Sequence, residues 1–225
     1  VSGDLLEAGT GMGYGLEILA PEIQNYTAID KYSSDIIEQN KNNSNFTFHQ
    51  LEIPPMAPVE SESQDFVVTF QVIEHIKKDK AFVEEVFRVL KKGGKAIITT
   101  PNRLMSLTRN PWHIREYTWQ ELLALLEGAG FSKVDVKGVY GHEKAMKYFW
   151  ENKKSVQKFK RFDVFDFENR LPRKLLQVPY DILNRINRKK LMDSTPTGMD
   201  DFSVEDFYLK EAGDECFDLF AVAEK

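Results

Sequence analysis

The sequence predicts an α/β fold: a seven-stranded, mostly parallel sheet with helices on both faces and a helical insertion before the last strand. Three observations carry this reading. Strand-like and helix-like stretches alternate through the first 142 residues. Asp65–Phe70, "DFVVTF", is a near-continuous apolar run, as a strand buried on both faces should be. Leu5–Gly15, "LLEAGTGMGYG", sets Gly9, Gly11, Gly13 and Gly15 on alternate positions directly after a short apolar run. A glycine weakens a regular element by roughly 0.5–1 kcal/mol relative to alanine. Four of them at one bend mark a place where something must approach the main chain.

The elements follow in order. "DLLEAG" is the first strand, and a helix with Leu16, Ile18 and Leu19 as its apolar residues follows Gly13. Tyr26–Asp30 is the second strand. "SSDIIEQNKNN" is a helix for which Ser33 or Ser34 offers a capping oxygen. "FTFHQ" alternates at period two as the third strand, and "DFVVTF" is the fourth. "AFVEEVFRVLKKGG" reads as a helix with Phe82, Val86, Val89 and Leu90 along one side, stopped by Gly93 or Gly94. "KAIITT" is the fifth strand. Thr118 and Glu121 form a capping box that opens the next helix, which Gly128 ends. "KVDVKGVY" is the sixth strand and "CFDLFAVAEK" the seventh, opened by Cys216. In such sheets ligands bind at the carboxyl ends of the strands, the edge where the glycine bend lies.

Composition narrows the class. The chain has 225 residues, 42% hydrophobic and 29% charged, enough for one large domain with a core. A net charge of −5 excludes a general polyanion binder. A single cysteine, Cys216, excludes an internal disulfide and fits a reducing compartment, so a cytoplasmic location is expected. Val1 is not methionine and the first strand opens almost at once, so a native segment is expected ahead of it.

The alternation breaks after Tyr140. Lys144–Lys190 carries 14 Lys and Arg against 5 Asp and Glu, whereas Leu191–Lys225 carries 2 against 10. The basic piece reads as amphipathic helix, with Leu175, Leu176, Ile182, Leu183 and Ile186 among basic residues and a kink or split at Pro179. The chain is thereby divided into a core over 1–142, a basic helical insertion over 143–197 and a return to the core over 198–225.

The glycine bend admits several readings. A dinucleotide fingerprint, G-x-G-x-x-G, fails in both registers, because its third glycine would fall on Tyr14 or on Leu16. A glycine-rich turn without a ligand leaves Asp30 unexplained. Asp30 closes the second strand 21 residues after Gly9, about where an acid grips a ribose diol.

Glu7-Ala8-Gly9-Thr10-Gly11-Met12-Gly13 resembles the E/D-x-G-x-G-x-G signature of class I S-adenosylmethionine-dependent methyltransferases. "QDFVVTFQVIEHI" resembles the fourth-strand segment of the same family. The resemblance covers residues 1–142 and returns at the last strand. It implies a Rossmann-like fold and S-adenosylmethionine as cofactor. It also implies roles: Gly9, Gly11 and Gly13 let the backbone pass close to the cofactor, and Glu7 orders that loop. Asp30 accepts from both ribose hydroxyls, and Lys31 or Tyr32 lies along the adenine. Glu52 and Ile53 meet the adenine edge, and Phe70 and Gln71 face the methionine end.

Methyl transfer to oxygen needs a general base near neutral pKa. Of four histidines, His49 lies inside a strand and reads as structural. His75, in "VIEHI", and His113, in "NPWHIREYT", lie in loops where they can approach an acceptor, with Glu116 and Tyr117 as weaker candidates. The Asn/Asp-Pro-Pro-aromatic motif of amino-directed DNA enzymes is missing after strand four, where "FQVIEH" stands. No Cys/His cluster of zinc type is visible, so no metal is expected. The layout resembles bacterial small-molecule and cell-envelope glycan methyltransferases, and through "VIEHI" quinone-pathway O-methyltransferases. The expected acceptor is a small-molecule, glycan or lipid-linked hydroxyl. The basic insertion is a candidate for peripheral contact with the inner face of a membrane. RNA methylation and a non-catalytic binding protein stand as alternatives. Phe159, Phe162, Phe165 and Phe167, read as an RNA surface, come with acids.

Overall fold

The structure, a computed structural model, describes residues 3–161, 170–194 and 202–225. Phe162, Phe165, Phe167 and residues 195–197 of the expected insertion lie outside the described residues, as does the Phe159 side chain.

Eight strands form one sheet: β1 (Asp4–Ala8), β2 (Asn25–Asp30), β3 (Phe46–Gln50), β4 (Gln64–Phe70), β5 (Leu90–Pro101), β6 (Lys133–Gly141), β7 (Phe207–Glu211) and β8 (Asp218–Glu224). They lie in the order β3-β2-β1-β4-β5-β8-β6-β7. β1 to β5 pair in parallel. β8 runs antiparallel to both β5 and β6, so β6 shares the direction of β5. Among the described residues the α-helices are α1 (Tyr14–Leu19), α2 (Asp35–Asn40), α3 (Asp79–Val89), α4 (Trp119–Gly128), α5 (Glu143–Lys160) and α6 (Arg173–Ser194).

Alternation along β1 shows how the sheet is covered. Leu5 packs with Leu16, Tyr26, Ile37, Phe46 and Val68 under α1 and α2. Leu6, one residue on, joins Val67, Phe82, Val86, Ile98 and Leu122 under α3 and α4. Successive strand side chains point to opposite faces, so a strand between two helical layers must be apolar at every position. The caps follow the expected chemistry. Ser34 Oγ accepts from Ile37 N at 3.3 Å, and Thr118 with Glu121 forms the capping box of α4.

The structure corrects several expectations. The sheet has eight strands, because β7 adds antiparallel to β6 at the edge. All five residues of β7 are exposed, so it lacks the alternation that would reveal it. Helix α3 ends at Val89, and Leu90–Gly94 already belong to β5 rather than to the helix and its stop. Ile18 is 71% exposed, and only Leu16 of α1 is buried. Cys216 precedes β8 instead of opening it, with its thiol donating to Gly213 O at 3.1 Å. Helix α6 continues through Pro179 and is not split there.

Asn102, just past β5, closes the structure at its carboxyl edge. It is buried, and its amide donates to Cys216 O at 2.9 Å and to Asp214 O at 3.2 Å. Its side-chain oxygen accepts from Leu104 N at 3.2 Å. One side chain thus ties the end of β5 to the approach of β8. Asn102→Ala leaves these groups unpaired and is expected to lower the unfolding free energy by about 2–3 kcal/mol, read by urea denaturation at unchanged slope. A loss under about 0.5 kcal/mol would show that solvent satisfies them instead.

Candidate active site

The bend after β1 is built around Glu7. Its carboxylate is buried, accepting from Thr10 Oγ1 at 2.6 Å and Tyr26 Oη at 2.7 Å. Burial pushes its pKa up, against those two hydrogen bonds. A Cβ at Gly15 would stand 2.2 Å from Glu7 Oε1, so the carboxylate occupies the space that this glycine leaves. Gly9, at φ +86°, faces the Val72 side chain, which a Cβ would meet at 2.4 Å. Gly11, at φ +53°, has open space where its Cβ would be. Gly13 caps α1 in the left-handed region. Gly9 N donates to Ile29 O at 2.7 Å, tying the bend to β2.

Asp30 sits at the tip of β2. Gly11 N donates to its Oδ2 at 2.8 Å and Tyr32 N to its Oδ1 at 2.9 Å. It does not cap α2, a task that Ser34 performs. A carboxylate has about four acceptor positions. With one amide on each oxygen, each oxygen keeps a lone pair for a further donor, the geometry of a diol clamp.

A cavity of about 840 Å³ opens here. Gly9, Gly11, Asp30, Lys31, Glu52 and Ile53 line one part, and Phe70, Gln71, Val72, His75 and Ile114 another. Tyr32 also lines it, 68% exposed. Lys31 Nζ lies 4.0 Å from a Glu52 oxygen. Glu7 and Gly13 do not line the cavity; they shape the loop from behind. Gln71 holds φ 58°, rare for a side-chain-bearing residue, with its N bonded to Thr99 O at 3.0 Å and its Nε2 to Asp218 Oδ1 at 3.3 Å.

The two candidate histidines part company. His75 lines the cavity, and its Nδ1 lies 2.9 Å from Trp112 O. A carbonyl only accepts, so Nδ1 carries the proton and Nε2 keeps its lone pair. Burial lowers its pKa, which keeps the ring neutral. His113 does not line this cavity. Its Nδ1 bonds Glu116 Oε1 at 2.6 Å and its Nε2 lies 2.8 Å from Asn110 Nδ2, so both nitrogens are engaged. The two rings meet edge to face, 4.9 Å between centroids. Burial pushes the Glu116 pKa up, but the bonds from His113 and Ser106 outweigh it and hold the carboxyl low. Tyr117 is fully buried, its hydroxyl donating to Asp79 Oδ2 at 2.9 Å.

Glu74 is the residue that sequence reasoning missed. It is 1% exposed, accepts from Thr100 Oγ1 at 3.0 Å, and burial pushes its pKa up to about 7. Its Oε1 stands 4.0 Å from His75 Nε2. Its place in "VIEHI" beside a candidate base was the available signal. Glu74, His75 and His113 bring potential metal-binding atoms within 4.8 Å of one another. As bonded here, only Glu74 and His75 Nε2 of the trio are open, two donors short of a tetrahedral set.

Residues 6–98 match a family described as a methyltransferase domain. A probable S-adenosylmethionine-dependent methyltransferase of Mycolicibacterium smegmatis is 36% identical over 142 residues, 61% of this chain and 55% of that protein. A ubiquinone biosynthesis O-methyltransferase of Rickettsia typhi is 32% identical over 103 residues, 44% of this chain and 41% of that one. The chain spans about half the length of the curated relatives it matches. Among solved structures, phosphoethanolamine N-methyltransferase 2 of Haemonchus contortus with bound S-adenosyl-L-methionine shares the fold at a TM-score of 0.56 and 18% identity, covering 100% of this chain and 49% of that one. Residues 6–98 are thus similar to a methyltransferase domain, on a fold that the chain shares with solved methyltransferases.

Proposed function

We propose that this protein transfers a methyl group from S-adenosylmethionine to a hydroxyl oxygen of a small-molecule or glycan acceptor. The observation that carries the reading is Asp30, held by two main-chain amides beside the bare Cα of Gly11 with acceptor capacity to spare. These residues fit the nucleoside: Asp30 would take the ribose hydroxyls, Gly9 and Gly11 would let the backbone approach, and Ile53 with Glu52 would meet the base. When bound, the cofactor supplies an electrophilic methyl on a sulfonium. His75 Nε2 accepts the proton that an acceptor hydroxyl must lose. Trp112 O fixes the tautomer that leaves this nitrogen free. Phe70 and Val72 add apolar surface to the cavity lining, and Gln71 between them is anchored to Thr99 and Asp218.

The insertion supports a second element of this reading, an acceptor met at a membrane surface. Leu175, Val178, Ile182, Leu183 and Ile186 of α6 are exposed, with Lys174 and Arg185 exposed on the same helix. An apolar stripe beside basic residues suits an anionic interface. Among the described residues no helix is long and apolar enough to cross a membrane. RNA is the weaker alternative for a chain of pI about 5.5.

Three outcomes test these statements. Asp30→Ala should weaken S-adenosylhomocysteine binding by roughly 1.5–3 kcal/mol in calorimetry, whereas His75→Gln should keep that affinity and slow labelled-methyl transfer to glycan and metabolite extracts about 100-fold. Unchanged affinity in the first variant would remove Asp30 from the site. Glu74 gives a pH signature. The unfolded chain releases its proton near 4.5 and the folded chain near 7, so stability falls as pH rises through that window. Glu74→Gln should cancel the fall, gaining up to about 3 kcal/mol on wild type at pH 8 relative to pH 4. Parallel curves would refute the shift. Third, the protein should pellet with vesicles containing anionic lipid, less so at high salt. Equal recovery with neutral vesicles would reject the membrane reading.

A further inference from the structure

A second cavity, about 320 Å³, lies beside the first. Four arginines line it: Arg103 from the turn after β5, Arg109 and Arg115 from the loop before α4, and Arg173 from the first residue of α6. Thr108 and Asn110 add polar groups. Among the described residues on its lining the one carboxylate, Glu116, is already engaged by His113 and Ser106. Ile114 lines both cavities, and the His75–His113 ring pair stands between them.

The arginines are unequally satisfied. Arg103 bonds Glu121 at 3.0 Å, and Arg115 bonds Asp79 at 2.9 Å. Arg109 has partners of its own, Leu171 O at 3.4 Å among them. Arg173 donates from Nη2 to Ile114 O, while its Nε is buried with no partner. A buried guanidinium N–H without an acceptor is costly, and a guanidinium fork matches oxyanions. Donors come from three separate segments and surround the space, which suits a tetrahedral anion better than a planar carboxylate.

We propose that this second cavity is the subsite for a phosphate ester carried by the methyl acceptor. The inference rests on the methyltransferase reading and names its substrate class: a phosphorylated hydroxyl compound, free or lipid-linked. With its phosphate held by Arg173 and its neighbours, the acceptor lies along Ile114, and its hydroxyl comes to His75 from the side of His113. The insertion thereby selects the acceptor, since α6 brings Arg173 into the pocket and Asp181 to Trp112 Nε1 at 3.1 Å.

The test is calorimetric titration with inorganic phosphate, without the nucleoside and at low salt. Saturable binding is expected, weakened at least tenfold by Arg173→Gln and less by Arg173→Lys. S-adenosylhomocysteine affinity should stay unchanged in both variants. Should Arg173→Gln lose helical circular dichroism, Arg103→Gln provides the same reading. Absent binding, or binding that these variants leave alone and Lys77→Gln with Lys78→Gln abolishes, overturns the proposal. Displacement of phosphate by a hexose phosphate identifies a soluble source, and displacement only by phosphatidylglycerol vesicles identifies a lipid one. Failure of S-adenosylhomocysteine to bind the wild type would sink the methyltransferase reading. Absent phosphate binding with the nucleoside still bound would sink this proposal alone.

Discussion

The site depends on a buried carboxylate. Glu7 lies at the end of β1, under the glycine bend, with Thr10 and Tyr26 donating to it. A buried charged or polar group is tolerable only when its partners are in place. Those partners come from the bend itself and from β2, so satisfying Glu7 fixes the bend against the neighbouring strand. Gly15 must lack a side chain because Glu7 fills that space. With the bend so held, Gly11 N points at Asp30, and Asp30 stands ready for a diol. The clamp proposed for the nucleoside is therefore a consequence of how one acid is accommodated, two strands deep in the sheet.

Much of the parallel sheet was legible because its signals are local. Continuous apolar runs, capping residues and glycine stops each act within a few residues. β7 was invisible for the opposite reason: an exposed edge strand needs no hydrophobic alternation, and only its pairing to β6 defines it. The end of α3 was misplaced because Leu90, apolar and buried, suits a helix face as well as a strand. Asn102 reads in sequence as a turn residue, and its task appears only when the chain returns 114 residues later.

The same distinction divides the site. Residues proposed for the nucleoside lie within a few positions of strands β1 to β4, so a family resemblance carried along the chain reaches them. The acceptor side is assembled from the loop after β4, the segment 103–116 and the start of α6. No spacing rule connects Arg173 to Arg103 or His113. Burial is equally hidden from sequence: nothing in "VIEHI" says that Glu74 is enclosed and His75 half open.

That burial has a chemical consequence. A free glutamate and a free histidine differ by about two pKa units, with the glutamate more acidic. Enclosure raises Glu74 to about 7 and lowers His75. Each move has the same cause, the cost of a charge away from water, and acts in opposite directions because one group is charged when deprotonated and the other when protonated. The two groups, shifted in opposite directions, stand 4.0 Å apart. On the proposed reading, His75 stands at the wall between the larger cavity and the arginine pocket, where a hydroxyl held on one side would meet a methyl donor held on the other.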